Sequence, residues 1–528
     1  MNKQPVIALA LNAHTPFIRR QTPPLTAEDR WFFEALSETY LPLLDMFDRL
    51  DAERIHFRLG ISLSPTLCAM LGDELLLSRY EEYLNAQIDF GLRETERLAA
   101  KGEGRTRDLA ERWREKARER LRWFSERYKR RLLPVFDHYQ RKGRLEILMT
   151  AATYGFLPFY TARPEAIQAQ FEVAIALYRQ YFGKHPQGFW LPELGWDPEL
   201  DRYLRAYNFG YTIVNTHALV LGEPAASKGS FYPVKTPRGV FVLARDYYAH
   251  KDIVGGEHGF SYDKTYRDNC ADAGYELSAE TVAPFLGPDG CRTQTGYKYK
   301  ALSGTVYDPK QASELAARQA AAFLESRVSR LAAAQAYMSD NPISLAAYNA
   351  DTFGRLWHEG PAFLEALFRE GAKRADFRFM TPAEYLYKQD LSAAEVVTPC
   401  FSSAGYNGYA ETWLDASNDW IYRHTVRSLE RMTEIAGRFP NETGIKERAL
   451  NQAAREILLS QSSDWTKLLY KGESAEYARA QIEESLRNFT TIYEALGSNY
   501  LSTEWLTGLE RRHNIFPAIN YRVFRRKR

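Results

Sequence analysis

Short uninterrupted apolar runs alternate with longer stretches whose apolar positions recur three and four residues apart. The first run, Val6-Ile7-Ala8-Leu9-Ala10-Leu11, ends in the polar cluster Asn12-Ala13-His14 and predicts a strand buried on both faces. Residues 56–63 predict a second strand, stopped at Ser64-Pro65, and Leu145 to Met149 a third. Phe189 to Leu191 predict a strand closed by Pro192, which has no N–H for the ladder. Further strands are expected at 210–214, 343–348 and 376–380, and helices at 27–51, 162–183, 197–207, 309–328 and 361–370. This strand–helix alternation is the signature of a parallel α/β sheet or barrel, in which strand C-termini converge on one face. Asn12, Tyr154 and Glu193 are therefore expected at one mouth.

Two segments break the rhythm. Residues 70–140 are charged and helix-periodic, interrupted at Lys101-Gly102-Glu103-Gly104, and predict a helical hairpin with solvated charge runs. Residues 220–300 are rich in Gly, Pro and Tyr and predict an irregular insert with a lid or rim role. After Thr381-Pro382 the pattern is mostly helical, with breaks at 400–413 and 460–465. The domains expected are 1–385, carrying both inserts, and a helical 386–528 ending in a loose basic tail from Arg522 to Arg528.

Composition narrows the class. A formal net charge of +2 gives no reason to expect nucleic acid or a membrane as partner. The four cysteines, Cys68, Cys270, Cys291 and Cys400, are far apart and fit reduced thiols in a cytoplasmic protein. No His or Cys pair has metal-ligand spacing, so neither a metal nor a cofactor is expected; His250 and His258 beside Glu257 read as surface loop residues. The opening apolar run is too short for a secretion signal. Aromatics reach 14%, with 33 Tyr and 10 Trp, which suits a cleft where rings stack on sugar faces.

Two carboxylates then stand out. Glu193, in Trp190-Leu191-Pro192-Glu193, lies between tryptophans at a strand end; a solvated Glu after a buried strand is the plainer reading. Asp351, in Asn349-Ala350-Asp351-Thr352-Phe353-Gly354, follows another strand. Retaining glycoside chemistry needs a nucleophile and an acid/base with carboxyls roughly 5–5.5 Å apart. On this pattern Glu193 is the nucleophile and Asp351 its partner.

These motifs resemble glycoside hydrolase family 57, and within it the 1,4-α-glucan branching enzymes. Leu11 to Phe17 is similar to the family's His-Ala-His-Leu-Pro opening, and Gly143 to Pro158 to its second region. Trp190 to Glu193 matches the nucleophile region and Tyr348 to Pro361 the acid/base region. Phe401-Ser402-Ser403, Asn418 to Arg423 and Gln461 to Trp465 match further motifs. The resemblance implies a seven-stranded (β/α) barrel with an inserted helical segment and a C-terminal helical domain. It also implies cofactor-free cleavage of an α-1,4 glucan, amylose or glycogen-like, and transfer to a 6-hydroxyl.

By the same resemblance Glu193, His14, Arg245, Trp413 and Asp464 stand at nucleophile or substrate-contact positions, and Tyr232 is the nearest candidate for a catalytic loop tyrosine. Trp190 and Trp357 are candidate subsite walls, Trp357 being equally suited to core packing. Other positions depart from the family pattern. Asn12 and Tyr154 replace histidines, Ala404 a tryptophan, Tyr262 a glycine and Glu473 a glutamine. Asn349 occupies the acid/base position, and Asp351 falls on the motif's Glu. An amide cannot donate the leaving-group proton, and general acid–base help is worth roughly 10²–10⁴-fold. Along an extended strand Asp351 would lie about 6.6 Å beyond Asn349 on the same face. Three outcomes stay open: Asp351 substitutes as acid/base, specificity is altered, or the scaffold has become a glucan-binding or regulatory protein.

Overall fold

The computed structural model describes residues 4–392, 394–498 and 500–527. Its strands are β1 (Val6–Ala13), β2 (Leu59–Leu63), β3 (Leu145–Leu148), β4 (Gly188–Phe189), β5 (Tyr211–Val214), β6 (Val234–Lys235), β7 (Phe241–Ala244), β8 (Ile343–Asn349) and β9 (Arg378–Phe379). One sheet runs β3-β2-β1-β8, all parallel, with β9 beside the start of β1. The other runs β4-β5-β7-β6, parallel except for the β6–β7 pair. Met149 links them: its N–H donates to Gly188 O at 3.1 Å, and its carbonyl accepts from Trp190 N at 2.7 Å. On the far side, Asp246 N, just past β7, donates to Leu345 O of β8 at 2.8 Å.

Every residue of β1 is buried, as a parallel strand covered on both faces requires. Alternate side chains divide between two cores. Ile7, Leu9 and Leu11 pack outward with the helices. Val6, Ala8 and Ala10 point into an inner core shared with Ile213, Leu243 and Leu345, which come from both sheets. The small side chains of β1 leave room there for the larger ones opposite. Strand C-termini meet at one end, and in the β1–β8 register Asn12 stands beside Asn349.

The charged segment forms the expected hairpin, α1 (Glu74–Ala100) and α2 (Gly104–Arg122), turned at Gly102 with φ of 74°. α3 (Pro309–Gln335) is capped by Asp308, whose carboxylate accepts from the N–H groups of Lys310 and Gln311. The 220–300 insert is irregular, as expected, but much of its far half is packed rather than rim-like. Tyr266 and Tyr297 are buried, Trp113 Nε1 of α2 donates to Lys298 O at 2.9 Å, and Gln87 Nε2 of α1 donates to Thr295 O at 2.8 Å.

Three expectations need correcting. The second strand starts at Leu59, because Phe57 leaves the ladder to stack on Phe47 at 5.3 Å. β8 ends at Asn349 and a tight turn occupies Ala350–Thr352, so the same-face spacing drawn for Asp351 does not apply. The C-terminal tail is docked: Tyr521 and Phe524 are buried, and Arg522 Nε donates to Pro440 O at 2.8 Å. Arg528 lies outside the described residues. Among the described residues no helix is long and apolar enough to cross a membrane.

Candidate active site

Glu193 sits where the chain can least relax. Pro192 ends the strand, and Glu193 and Leu194 both take left-handed backbone, with φ of 55° and 50°. Non-glycine residues in succession there carry strain of order 1–3 kcal/mol each, which such sites hold through surrounding contacts. The contacts are visible. Ala404 N donates to Glu193 O at 2.7 Å, while Trp196 N and O bond Ser402 at 2.7 and 3.1 Å. The segment matching the family's Ser-Ser motif thus runs as a backing strip behind the carboxylate. Gly195 is required, since a Cβ there would lie 2.5 Å from the Phe156 ring.

Tyr154, also left-handed with φ of 58°, spans the mouth. Its hydroxyl accepts from Asn12 Nδ2 at 2.8 Å and from Glu193 N at 3.3 Å, and its ring stacks on His14 at 3.9 Å. Its carbonyl accepts from Ser463 Oγ at 2.7 Å and Ser463 N at 3.2 Å, at the start of α4 (Ser463–Lys471). Asn12 also donates to Asn349 Oδ1 at 3.3 Å. Asn12, Tyr154 and Glu193 therefore do gather at one mouth.

α4 supplies the charges. His14 Nε2 bonds Asp464 Oδ2 at 2.8 Å, and Ser462 Oγ donates to the same oxygen at 2.7 Å. One turn on, Lys467 Nζ stands 3.4 and 3.5 Å from the two Glu193 oxygens. Burial pushes the Glu193 carboxyl above its ordinary range; Lys467 opposes this, Asp464 adds to it and His14 opposes it. Burial would raise Asp464 as well, but the His14 imidazole holds it below the usual carboxylate range. The Glu193 carboxylate raises the Lys467 ammonium. Lys467 is a site residue that the motifs do not reveal. The available signal was its helical spacing, three residues after Asp464 on one face.

Two contiguous cavities meet at Glu193. The larger, about 400 Å³, is walled by Asn12, His14, Tyr154, Asn349, Asp351, Asp464, Lys467 and Glu473. The smaller, about 220 Å³, is walled by Trp190, Arg245, His250 and Ala404, and shares Tyr154, Glu193 and Asn349 with the first. There Arg245 Nη1 lies 3.2 Å from His250 Nδ1. Burial lowers Arg245 to about 10; burial and the neighbouring Arg245 lower His250 to about 3, leaving a neutral imidazole. Asp351 lies on the larger cavity, but Arg355 Nε donates to its Oδ2 at 2.8 Å, and Oδ1 is buried without a partner.

Four predicted residues are not brought to these cavities. Tyr232 lies at the other end of β8, where Ile343 N donates to Phe231 O at 2.9 Å; β8 puts roughly 20 Å of strand between that end and Asn349. Its hydroxyl donates to Asp390 O at 3.2 Å. Trp357 is core, packed on Tyr266 and Phe363 at 5.3 and 5.2 Å. Trp413 is buried and stacked on Phe156 at 5.1 Å, and Tyr262 is exposed on a separate turn. Among the described residues no cluster of His, Cys, Asp and Glu could hold a metal ion.

A parallel α/β scaffold that presents a buried carboxylate over a polar cleft at its strand ends has the form of a carbohydrate-processing protein. Comparison with known proteins makes this specific. Residues 8–399 match glycosyl hydrolase family 57, and residues 424–524 match the C-terminal region of 1,4-alpha-glucan branching enzymes. The chain belongs to glycosyl hydrolase family 57. It is 26% identical to a 1,4-alpha-glucan branching enzyme of Thermococcus kodakarensis, over 97% of this chain and 77% of that protein. The crystal structure of the alpha-amylase AmyC from Thermotoga maritima superposes with a TM-score of 0.91 at 33% identity, covering 99% of this chain and 100% of that one. The branching enzyme from Pyrococcus horikoshii shares the fold, with a TM-score of 0.87 at 24% identity, covering 99% of this chain and 97% of that one. The kinship is with enzymes acting on α-glucans.

Proposed function

We propose that this chain acts on α-1,4-linked glucans as a retaining glycosyl-transfer protein of the branching-enzyme type, with Glu193 as nucleophile. The observation that carries this is the position of the Glu193 carboxylate: buried, paired with Lys467, and at the junction of two cavities that could hold sugar on either side of it. The same reading takes the two sheets as one seven-stranded (β/α) barrel and the strand ends as its mouth.

In this reading a Glu193 oxygen attacks the anomeric carbon, and the bond to the glycosidic oxygen breaks. The leaving oxygen needs a proton. Asn349 cannot give one, and this reading assigns that role to Asp351, which lies on the same cavity. In the second step an acceptor 6-hydroxyl attacks the same carbon and Glu193 leaves. The hydroxyl proton passes to the Asp351 carboxylate. Tyr154, Asn12 and His14 hold sugar hydroxyls on one wall, and Arg245 does so on the other.

One observation favours a second reading, a glucan-binding protein with little turnover. Arg355 Nε already occupies Asp351 Oδ2 at 2.8 Å, and Asp351 Oδ1 is buried, so the carboxyl is tied into the cavity wall rather than presented to a leaving oxygen. Incubation with amylose, followed by assay of α-1,6 branches and reducing ends, separates the two. Activity lost in both Glu193→Gln and Asp351→Asn supports transfer with Asp351 as acid/base. An inactive parent that still binds glucan supports the second reading.

A further inference from the structure

Arg355 and Leu356, which wall the larger cavity, also wall a third cavity of about 150 Å³ between α1, the helical segment around Glu34 and the 220–300 insert. The residues around it are chemically unusual. Lys298 is 6% exposed, yet its ammonium has no ion pair among the described residues; Asp272, Glu38 and Glu34 oppose it only at longer range. The Glu34 side chain is 16% exposed, and Arg355 stands off from it at 3.9 Å. Gln87 is 4% exposed and leaves its Oε1 without a partner. A buried amide oxygen such as Gln87 Oε1 costs stability unless something hydrogen-bonds it.

The charges on this wall also say what that partner would be. Glu38 is already held by Arg120, Arg267 and His358, and Arg355 is held by Asp351. What remains is Glu34, met only by Arg355 at 3.9 Å, Lys298 without an ion pair among the described residues, and amide groups, a balanced lining of donors and acceptors. An anion would meet Glu34 and a cation would meet Lys298. A neutral ring with hydroxyls on every edge satisfies both.

Resting on the α-glucan reading above, we propose that this third cavity is a remote glucosyl subsite, reached by a chain that passes Arg355 from the catalytic cleft. Lys298, Glu34 and Gln87 are its hydrogen-bonding groups. Burial raises the Glu34 carboxyl and lowers the Lys298 ammonium, so both would gain from a neutral hydroxyl partner.

The test is calorimetric titration with non-cleavable thio-linked maltooligosaccharides of increasing length, comparing the parent, Lys298→Met and Lys298→Arg. Short oligomers are expected to bind all three alike. Long ones are expected to bind Lys298→Met about tenfold more weakly, the size of one lost charged hydrogen bond, and Lys298→Arg to recover part of the loss. Thermal melts confirm that each variant is folded, and Gln87→Leu, which keeps the ion network, serves if Lys298→Met is not. Equal affinity of the folded variants and the parent for every length overturns the subsite. A parent that binds no length overturns the α-glucan reading and the subsite with it.

Discussion

Lys467 is the group whose removal speaks most directly to the chemistry of Glu193. Its ammonium is 3.4 Å from one carboxylate oxygen, and its side chain is 33% exposed. Coulomb's law at that distance gives about 5 kcal/mol at an effective dielectric of 20 and about 1 kcal/mol in water. The partial exposure places the real figure toward the lower end, roughly 1–2 kcal/mol, or about one pKa unit. Without Lys467, burial and Asp464 both act against the ionised nucleophile, so the Glu193 pKa rises. The assay is kcat/KM against pH with an α-glucosyl fluoride donor, because fluoride leaves without a proton and the acid limb then follows Glu193 alone. In Lys467→Met that limb moves up by about one unit, with activity above it largely kept. An acid limb that stays in place refutes the electrostatic role of Lys467.

Further outcomes follow from other residues of the site. Asn349→Asp places a carboxyl at the family's acid/base position; with Asp351 supplying the proton, branching or cleavage of amylose changes little, and a rise of roughly 10²–10⁴-fold with little change on fluoride donors contradicts that role for Asp351. Glu193 has a raised pKa in the folded chain, so the folded form holds its proton more tightly than the unfolded form does. The stability this contributes is complete below the ordinary value of about 4.3 and is lost as pH rises through the folded value. Glu193→Gln therefore melts above the parent at neutral pH, and thermal scans show the gap closing toward pH 4. Gly195→Ala drives a Cβ into the Phe156 ring and costs about 1–3 kcal/mol; a denaturation midpoint equal to the parent's contradicts the close packing behind Glu193.

The scaffold was legible because parallel strands buried on both faces leave mostly apolar runs: β1 is unbroken from Val6 to Leu11, and β2, β3 and β8 are each interrupted by one polar side chain, Ser62, Glu146 and Ser344. The gathering of Asn12, Tyr154 and Glu193 followed from strand direction alone. What escaped depended on side chains from elements whose tertiary placement has no local signature. Lys467 reads as one more solvated helix charge until α4 is seen to lie over the mouth. Arg355 reads as surface until it is found on Asp351. Trp357 and Trp413 were drawn toward the site by their motifs, but a large ring fits a core as well as a sugar face, and here the core took both. Tyr232 is the nearest candidate for the family's catalytic loop tyrosine, but its loop runs to the opposite end of β8.

The measurement that bears most directly on Glu193 is covalent trapping. A 2-deoxy-2-fluoro-α-glycosyl fluoride slows release of the glycosyl-enzyme, and its leaving group needs no acid, so the outcome does not depend on whether Asp351 replaces the missing proton donor. Peptide mapping after incubation is expected to find one added sugar on the segment from Gln187 to Trp196, located at Glu193 and absent in Glu193→Gln. No adduct, or an adduct on another carboxylate, would contradict Glu193 as the nucleophile.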